Sequence, residues 1–518
     1  MTKKLDAPNK TAEVFAIHGA DPEVQAYAMA KYSRSALSMA ESIKEISSQK
    51  AETFLNSFYF QYGHKSIADL AHIPMAIENI SLLAAIDVVD EQRWDGQERS
   101  TRYQDFSKRE YYVPEGMDET ETVHYHATIN MLYDAYFEVL NEAIEYFTLH
   151  NPKPEHMAQG PYERTIKARA FDIARYLLPM ATLTSVGQIN SARALEGQVS
   201  RLAASVYPEV VDLAESIKEA ATIKPMYLPN DPVWDIPVAF RGDSDAYGAM
   251  RKVYAAPTLL KYAEPNTYKS NAADLAKGYL HELRLDSVDP EGCRESNVTM
   301  TKLDAWSTEI EILTTFLYEQ SDLSFEVILN RVRNTGTEFR RDAIAAFMAL
   351  RGKHDELLRP LRAAGGVIFD ITMDIGGMRD MHRHRRATQH LQPYTTTLGF
   401  VQPEPHVNAK VERLYEAATR KIVHAHDIMQ QLRQMRDTND SIADYLLPLG
   451  TRCRFLMKMD VAEMAYIAEL RTGPAGHISY RNVAWEVYNH LASFAPTLAE
   501  QIRSRVTDPS EPLDFFKR

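Results

Sequence analysis

Two stretches of the chain decide its fold: "DVVDEQRWDGQERSTRY" at residues 87–103 and "GGMRDMHRHRRATQHLQPY" at residues 376–394. Each follows a segment in which apolar residues alternate, as they do in a half-buried strand. The alternating residues are Ile73, Met75 and Ile77 before the first stretch, and Val367, Phe369, Ile371 and Met373 before the second. The shared context predicts that one structural unit occurs twice in the chain.

Two further matches follow in the same order along both halves of the chain. Helical patterns at 130–147 and 412–429 align at Tyr133 and Tyr415, and "ARYLLP" at 174–179 then matches "ADYLLP" at 443–448. Four matches in one order favour a tandem duplication over chance. The chain between the last two matches is longer in the first copy, which predicts an extra loop at "HNPKPEHMAQGPY" (150–162).

The length of 518 residues and the hydrophobic content of 45% allow two or three ordinary cores, and we expect two large units. Between them, five prolines from Pro225 to Pro257 argue against long regular structure. The sequence therefore predicts a first unit at 1–222, a proline-rich linker at 223–270 and a second unit at 271–518.

Composition narrows the class of protein. The formal net charge of −13 argues against a broad nucleic-acid surface. Only Cys293 and Cys453 are present, too few for a disulfide framework, which favours a reducing, cytoplasmic compartment. The first residues lack the apolar run of a signal peptide, and no segment has about 18 apolar residues in a row, so we expect no membrane partner.

The first stretch ends in a polar motif, with Glu98, Ser100 and Arg102 at alternating positions. A guanidinium can clamp phosphate oxygens, while a hydroxyl and a carboxylate can read the donors and acceptors of a base. These residues suit a ligand with both a phosphate and a polar base. Taken alone, the motif is more simply a solvated turn.

The second stretch concentrates positive charge in "RHRR" (383–386), around His384. This pattern suits a pyrophosphate or a reduced, anionic ring. Taken alone, it is more simply the solvated basic end of a helix.

Together, the two stretches resemble the signature of the flavin-dependent thymidylate synthases, which runs Arg-His-Arg, then a Glu, a Ser and an Arg-Tyr pair. "GHKSIADLAH" (63–72), "ERSTRY" (98–103), "ARYLLP" and "SARALEGQVSR" (191–201) are similar to family segments in the first copy. The resemblance implies an α+β fold of two tandem units, each a small antiparallel sheet packed with long helices.

The resemblance also implies residue roles. The residues expected to bind substrate are Glu98, Ser100, Arg102, Arg175 and Arg201. Those expected to bind the cofactor are Arg383, His384, Arg385, Arg193 and Arg471. Ser100 and Arg102 are the expected catalytic residues: Ser100 acts by binding and polarisation rather than as a nucleophile, and Arg102 stabilises negative charge on the pyrimidine.

Neither copy keeps the whole signature. The first reads Asp90-Glu91-Gln92 where Arg-His-Arg is expected, and those acids would repel a flavin. The second keeps 383–385 but continues "QHLQPYTTTLGF", without the nucleotide residues, and carries Asp444 where an arginine is expected. Because sites of the family lie between subunits of a tetramer, the pattern predicts one composite site, with the mirror-image site lost.

The implied reaction is reductive methylation at C5 of a uracil nucleotide, dUMP to dTMP. It would use FAD, with NADPH and methylenetetrahydrofolate as co-substrates, in a homodimer that rebuilds a four-unit assembly. The alternative that stays open is a non-catalytic or repurposed nucleotide- or flavin-binding pseudoenzyme of the same fold.

Three smaller patterns receive simpler interpretations. Histidines cluster at 382–390 and 124–126 without a cysteine pair or a clear carboxylate partner, so we expect no metal. The loop "GPAGHISYR" (473–481) is more simply a structural turn than a ligand loop using His477 and Arg481. Gly376-Gly377 predicts close backbone packing or a strand-to-helix turn.

Overall fold

The computed structural model of the chain describes residues 65–102, 106–222, 298–302, 307–318, 323–349, 359–402, 407–435, 441–511 and 514–516, with isolated positions at 22, 26, 29, 265, 351 and 357. The predicted linker, apart from position 265, and Cys293 lie outside the described residues. The chain divides into two compact units: Met1–Met75 with Gln188–Ala204 and Asp212–Thr267, and Ala76–Gly187 with Ser205–Val211 and Tyr268–Arg518. We call the second the large unit.

The elements are helices and short strands in alternation. In chain order they are β1 (His72–Ser81), α1 (Leu82–Val89), β2 (Asp95–Glu98), α2 (Glu119–His150), α3 (Gln159–Ala174), β3 (Leu183–Ser191), α4 (Ala192–Leu202), α5 (Pro208–Thr222), β4 (Val298–Lys302), α6 (Thr308–Tyr318), α7 (Phe325–Arg333), α8 (Thr337–Ala349), α9 (Arg359–Ala363), β5 (Val367–Asp374), α10 (Ile375–Met381), β6 (Thr388–Leu391), α11 (Ala409–Met435), β7 (Arg452–Met459), α12 (Val461–Arg471), α13 (Ile478–Phe494) and α14 (Pro496–Ile502). Short 3-10 turns lie at Lys65–Leu70, Arg175–Leu177, Ile442–Leu446 and Arg503–Arg505. The predicted α+β class is confirmed.

Two small sheets carry the alternation that the sequence predicts. One has the order β1-β3-β2, and the other is antiparallel with the order β4-β5-β7-β6. Val367, Phe369 and Ile371 of β5 are fully buried, while the residues between them are partly exposed. One face of this strand therefore packs into the core.

The strands β1 and β5 each turn directly into a helix through a capping side chain. Ser81 ends β1 and accepts a hydrogen bond from the Ala84 amide at 2.9 Å, which caps α1. Asp374 ends β5 and accepts one from the Gly377 amide at 2.6 Å, which caps α10. These short side chains satisfy amides that a helix start leaves without partners. The predicted strand-to-helix turn at Gly376-Gly377 is confirmed.

The two aligned helices of the sequence pack against each other in the large unit. Glu121, near the start of α2, lies 3.3 Å from Arg433 near the end of α11, and Lys410 at the start of α11 lies 2.5 Å from Glu142 in α2. The helices are therefore antiparallel. Tyr133 and Tyr415, the aligned tyrosines, are both buried.

The two "YLLP" strings contact each other through reciprocal backbone hydrogen bonds, as two segments related by a local twofold axis would. The Met180 amide donates to the Leu447 carbonyl at 2.9 Å, and the Leu449 amide donates to the Leu178 carbonyl at 2.9 Å. An antiparallel bridge joins Pro179 and Pro448. Matching strings in the two copies thus contact each other directly, within the large unit.

Backbone bonds around this contact also occur in equivalent pairs. The Leu82 amide donates to the Thr182 carbonyl at 2.9 Å in the first copy. In the second copy, the Ile375 amide donates to the Thr451 carbonyl at the same distance. Likewise, the Leu83 amide donates to the Met180 carbonyl at 3.1 Å, and its equivalent, the Gly376 amide, donates to the Leu449 carbonyl at 3.0 Å. The internal repeat that the sequence predicts is therefore a repeat of structure as well.

The predicted extra loop in the first copy is only partly a loop. After α2 ends, 151–158 form the connection and α3 then begins at Gln159. Tyr162, Ile166 and Ala170 recur every fourth residue and are buried, which is the spacing of one helix face. The prolines in 150–162 are typical of a loop, so the sequence pattern does not indicate that a helix begins within this stretch.

Within the described residues, no helix is long and apolar enough to cross a membrane. In the same part of the chain, no group of three or more His, Cys, Asp or Glu side chains is placed to hold a metal ion.

Candidate functional site

The nucleotide segment, residues 98–102, leads from the edge strand β2 into a tight turn. The Ser100 hydroxyl accepts a hydrogen bond from the Arg102 amide at 3.1 Å, which holds the turn. The Arg102 guanidinium is buried and makes two hydrogen bonds to Asp172 of α3, at 2.5 Å from Nε and 2.8 Å from Nη2. Burial opposes ionisation of Asp172, but the hydrogen bonds from Arg102 and the nearby positive charges hold its pKa below the usual value.

A loop from the second copy lies against Arg102. We call residues 472–481, which comprise the connection after α12 and the first turn of α13, the bridging loop. The Ala475 carbonyl accepts from Arg102 Nη2 at 3.3 Å, and the Tyr480 hydroxyl lies 3.5 Å from Arg102 Nη1. The predicted structural turn therefore also forms one wall of the candidate site.

His477 fixes the bridging loop to both copies. Its Nδ1 accepts from the Ser479 amide at 3.2 Å, so its Nε2 carries the hydrogen and donates to the Asp172 carbonyl at 3.0 Å. Burial, together with the charges of Arg175 and Arg102, lowers the pKa of His477 to about 3. The imidazole is therefore neutral, and its tautomer is set by its two partners.

Glu98 brings the nucleotide segment against arginines of the second copy. Its carboxylate is almost fully buried, forms an ion pair with Arg379 of α10, and lies 3.9 Å from Arg383. The guanidinium carbon of the neighbouring Arg385 lies over Trp94, at 4.2 Å from the ring centroid. Burial and the charge of Arg383 lower the pKa of the Arg385 guanidinium.

Arg175 lies deep in the large unit, with 1% of its surface exposed. Its Nη1 is 3.9 Å from one oxygen of Asp380, and Arg471 Nη1 is 3.9 Å from the other. Nε and Nη2 of Arg175 have no hydrogen-bond partner. A predicted substrate residue of the first copy and a predicted cofactor residue of the second thus share one carboxylate.

His384 is buried between Glu463 and Arg471. Arg471 Nε donates to Nε2 at 2.8 Å, so the hydrogen lies on Nδ1 and is donated to Glu463 at 3.0 Å. Burial is the main cause that lowers the pKa of His384. Both ring nitrogens are engaged, so His384 orients Arg471. The expected role of His384 in cofactor binding stays a prediction.

Two predicted residues lie in the other compact unit. Arg193 forms a 2.8 Å ion pair with Asp69, with 40% of its side chain exposed. Arg201 is half-buried in the last turn of α4. Their expected roles as cofactor and substrate residues stay predictions.

The position equivalent to Arg175 in the second copy is Asp444, which protein side chains surround. The Tyr207 hydroxyl donates to it at 2.8 Å, and His426 Nε2 lies 3.3 Å away. All three residues are buried. The mirror-image position therefore holds an internal polar cluster built around a carboxylate.

A second pair of equivalent positions has exchanged its residue types. At the end of β1, Ser81 donates from its hydroxyl to Glu209 at 2.6 Å. At the end of β5, Asp374 instead accepts from the Ser479 hydroxyl. Hydroxyl and carboxylate have changed places, while each strand end still contacts the first turn of a later helix, α5 in the first copy and α13 in the second.

Four side chains that sequence reasoning missed line the site: Asp172, Arg379, Asp380 and Tyr480. Arg379 and Asp380 lie in the second signature-like stretch, residues 376–394, where their charge is a usable signal. Asp172 and Tyr480 lie far along the chain from Arg102, and only folding brings them to it.

Two copies, two small sheets and an arginine-rich site define an internally duplicated α+β protein. The chain belongs to the thymidylate synthase complementing protein family, whose model matches residues 16–225 and 328–497. The two matched segments are consistent with a tandem duplication.

Relatives of similar length are found in distant organisms. A UPF0159 protein of Chlamydia muridarum is 26% identical over 522 residues, covering 95% of this chain and 91% of that protein. A UPF0159 protein of Thermoplasma acidophilum is 23% identical, covering 88% and 89%. The solved structures similar to this chain include a UMP/dUMP methylase, PolB from Streptomyces cacaoi bound with 5-Br UMP. It is 16% identical, with a TM-score of 0.32, covering 42% of this chain and all of that chain.

Proposed function

We propose that this chain is a methyltransferase-type flavoenzyme that methylates C5 of a uracil nucleotide, dUMP to dTMP, at a composite site formed by both copies of one chain. Family membership supports the reaction class. The supporting observation for the site is that three buried or half-buried arginines, one from the first copy and two from the second, lie in or against residues 375–385 with buried N–H groups that have no acceptor. These groups are Nε and Nη2 of Arg175, Nε of Arg379 and Nε of Arg385.

Such groups indicate an anionic ligand. A buried guanidinium N–H without an acceptor costs free energy, and a phosphate would supply the missing acceptors. In the proposal, Arg175 binds the nucleotide phosphate. Arg102, held in one orientation by Asp172, stabilises negative charge that develops on the pyrimidine.

The residues of the second copy fit an anionic flavin cofactor. Arg383 has 41% of its side chain exposed, and Arg385 is half-buried with an unpaired Nε, so both can reach a ligand. Glu98 offsets part of their charge and holds Arg379 in place. When bound, reduced FAD would supply the hydride and methylenetetrahydrofolate the one-carbon unit, with NADPH as the reductant.

Reconstitution tests the proposal directly. The full chain is purified with FAD, and its visible absorbance, dUMP binding by calorimetry and dTMP formation by mass spectrometry are measured. We expect a yellow protein that binds dUMP and forms dTMP only with all co-substrates. Arg420→Ala removes an arginine that is 73% exposed on α11, outside the proposed site, and should behave as wild type in all three measurements. A protein that binds neither FAD nor dUMP would contradict the proposal.

One observation favours a second candidate, a nucleotide-binding pseudoenzyme. Arg102 already has its charge balanced by Asp172, and the bridging loop lies against it. A buried pair of this kind is complete without a ligand. The same reconstitution distinguishes the two, because the pseudoenzyme would form no dTMP under any combination of co-substrates.

A further inference from the structure

We infer that Tyr480, which the second copy contributes through the bridging loop, is a nucleotide-positioning residue of the composite site. The inference rests on the proposed function and adds a residue that the nucleotide segment does not contain. Tyr480 is buried, with 6% of its surface exposed.

The two ends of the Tyr480 side chain face different halves of the site. Its hydroxyl lies 3.5 Å from Arg102 Nη1, in the nucleotide half. Its ring lies under Arg471, whose guanidinium carbon is 5.6 Å from the ring centroid and whose Nε donates to His384. One aromatic side chain therefore contacts the arginines of both copies.

The direction of the hydrogen bonds gives the hydroxyl its role. A guanidinium only donates, so the Tyr480 oxygen must accept from Arg102. The hydroxyl hydrogen is then available to an acceptor on a ligand that Arg102 binds. A nucleotide supplies such acceptors in its phosphate and carbonyl oxygens. The expected contact is a neutral donor beside the positive charge of Arg102.

The bridging loop holds Tyr480 at this position through several contacts. The Ser479 hydroxyl donates to the Asp374 carboxylate, and His477 Nε2 donates to the Asp172 carbonyl. Arg481 Nε donates to the Thr472 carbonyl at 2.9 Å, which joins the two ends of the bridging loop. A Cβ on Gly476 would lie 2.7 Å from Tyr480 Cε2, so this glycine allows the ring to pack closely. A donor fixed in this way adds specificity without further ordering cost.

Two substitutions separate the hydroxyl from the ring. Tyr480→Phe removes the donor but keeps the contact with Arg471, so we expect the Kd for dUMP to rise about fivefold to tenfold while the Kd for FAD changes less than about twofold. Tyr480→Ala removes both the hydroxyl and the ring, and should weaken the binding of both dUMP and FAD. Tyr488→Phe is the matched control, because it removes a hydroxyl from α13 that bonds the Ala499 carbonyl at 3.4 Å. It should change neither constant.

A double-mutant cycle supplies the decisive measurement. If Tyr480 and Arg102 act together, Tyr480→Phe should weaken dUMP binding clearly less in an Arg102→Lys background than in the wild type. Additive effects, or an unchanged Kd for dUMP in Tyr480→Phe, would overturn this inference but leave the proposed function standing. A wild-type protein that binds no dUMP would overturn the proposed function, and this inference with it.

Discussion

At the scale of the residue, Arg175 is the most unusual side chain of the site. Its guanidinium is almost completely buried, yet two of its nitrogens have no hydrogen-bond partner and its nearest carboxylate oxygen, on Asp380, is 3.9 Å away. Burial of a cation is tolerated when partners surround it. The incomplete pairing of this buried arginine supports the proposal that its position is kept for a ligand rather than for stability.

Replacing this arginine should therefore separate binding from folding. For Arg175→Met, we expect the free energy of unfolding to stay within about 1 kcal/mol of wild type. Asp380 keeps Arg471 as an ion-pair partner, while a poorly paired buried cation is exchanged for an apolar side chain of similar length. We expect dUMP binding to weaken by at least about 30-fold. Denaturant unfolding and calorimetry measure the two effects. A large loss of stability would instead show that Arg175 is structural.

His477 should make stability depend on pH. The unfolded chain takes up a proton on this ring below about pH 6.5, whereas the folded protein resists it until about pH 3. The unfolded state therefore binds more protons in this window, and stability falls as pH falls, by about 1.4 kcal/mol per pH unit for this residue.

The substitution His477→Asn tests this dependence, because asparagine can still cap α13 but does not titrate. Between pH 6.5 and pH 5, we expect the free energy of unfolding of the variant to fall less steeply than that of wild type, by about 1 kcal/mol per pH unit on average, because the unfolded imidazole is only half protonated at pH 6.5. His390→Asn, at an exposed position on β6, is the matched control. Equal slopes for His477→Asn and wild type would contradict a neutral, buried His477.

At the scale of the element, the turn from β5 into α10 connects the core to the site. Gly377 donates its amide to Asp374, and a Cβ at this position would lie 2.7 Å from Ser479 Oγ and 2.6 Å from Met373 Cε. The close packing is what lets Ser479, and with it the bridging loop, approach the start of α10. A side chain here would press on the strand and on the loop at the same time.

Gly377→Ala should therefore destabilise the protein by about 1–3 kcal/mol, the usual cost of overpacking. Gly197→Ala is the matched control, because a Cβ on this glycine of α4 would meet nothing within 4 Å. The control should be neutral or stabilising by up to about 1 kcal/mol, since alanine favours a helix. Thermal unfolding of both variants makes the comparison, and equal losses would contradict the packing argument.

The sequence predicts some elements well and others poorly, for physical reasons. The alternation in β1 and β5 is visible because one strand face is buried and the other is not. The helix α3 was missed because prolines near its start resemble a loop. In the site, Glu98 and Arg383 were predicted from motifs, whereas Asp172 and Tyr480 reach Arg102 only through contacts between distant parts of the chain.

At the scale of the whole molecule, the two copies are equivalent in backbone but not in chemistry. Bonds around the "YLLP" contact repeat in both copies, yet Arg175 faces Asp380 while its counterpart Asp444 bonds Tyr207 and His426. Backbone pairing is compatible with many side chains, so the fold can persist while one site changes. The duplication therefore supports one proposed site per chain rather than two.

Mixing of inactive variants tests whether that site forms within one chain. Arg102→Ala and Arg385→Ala should each abolish dTMP formation. Because Glu98 of the first copy already contacts Arg379 and Arg383 of the second within the same chain, mixtures of the two variants should also be inactive. Activity is measured after the two proteins are unfolded together and refolded. Recovery of activity in the mixture would show that the site takes its residues from two chains.

The contact between the two "YLLP" strings also affects how the protein responds to dilution. In an assembly of separate subunits, such a contact is lost when the concentration falls below the dissociation constant. Here both strings belong to one chain, and a covalent connection keeps the partners at a fixed effective concentration. The junction between the copies should therefore remain formed at any protein concentration.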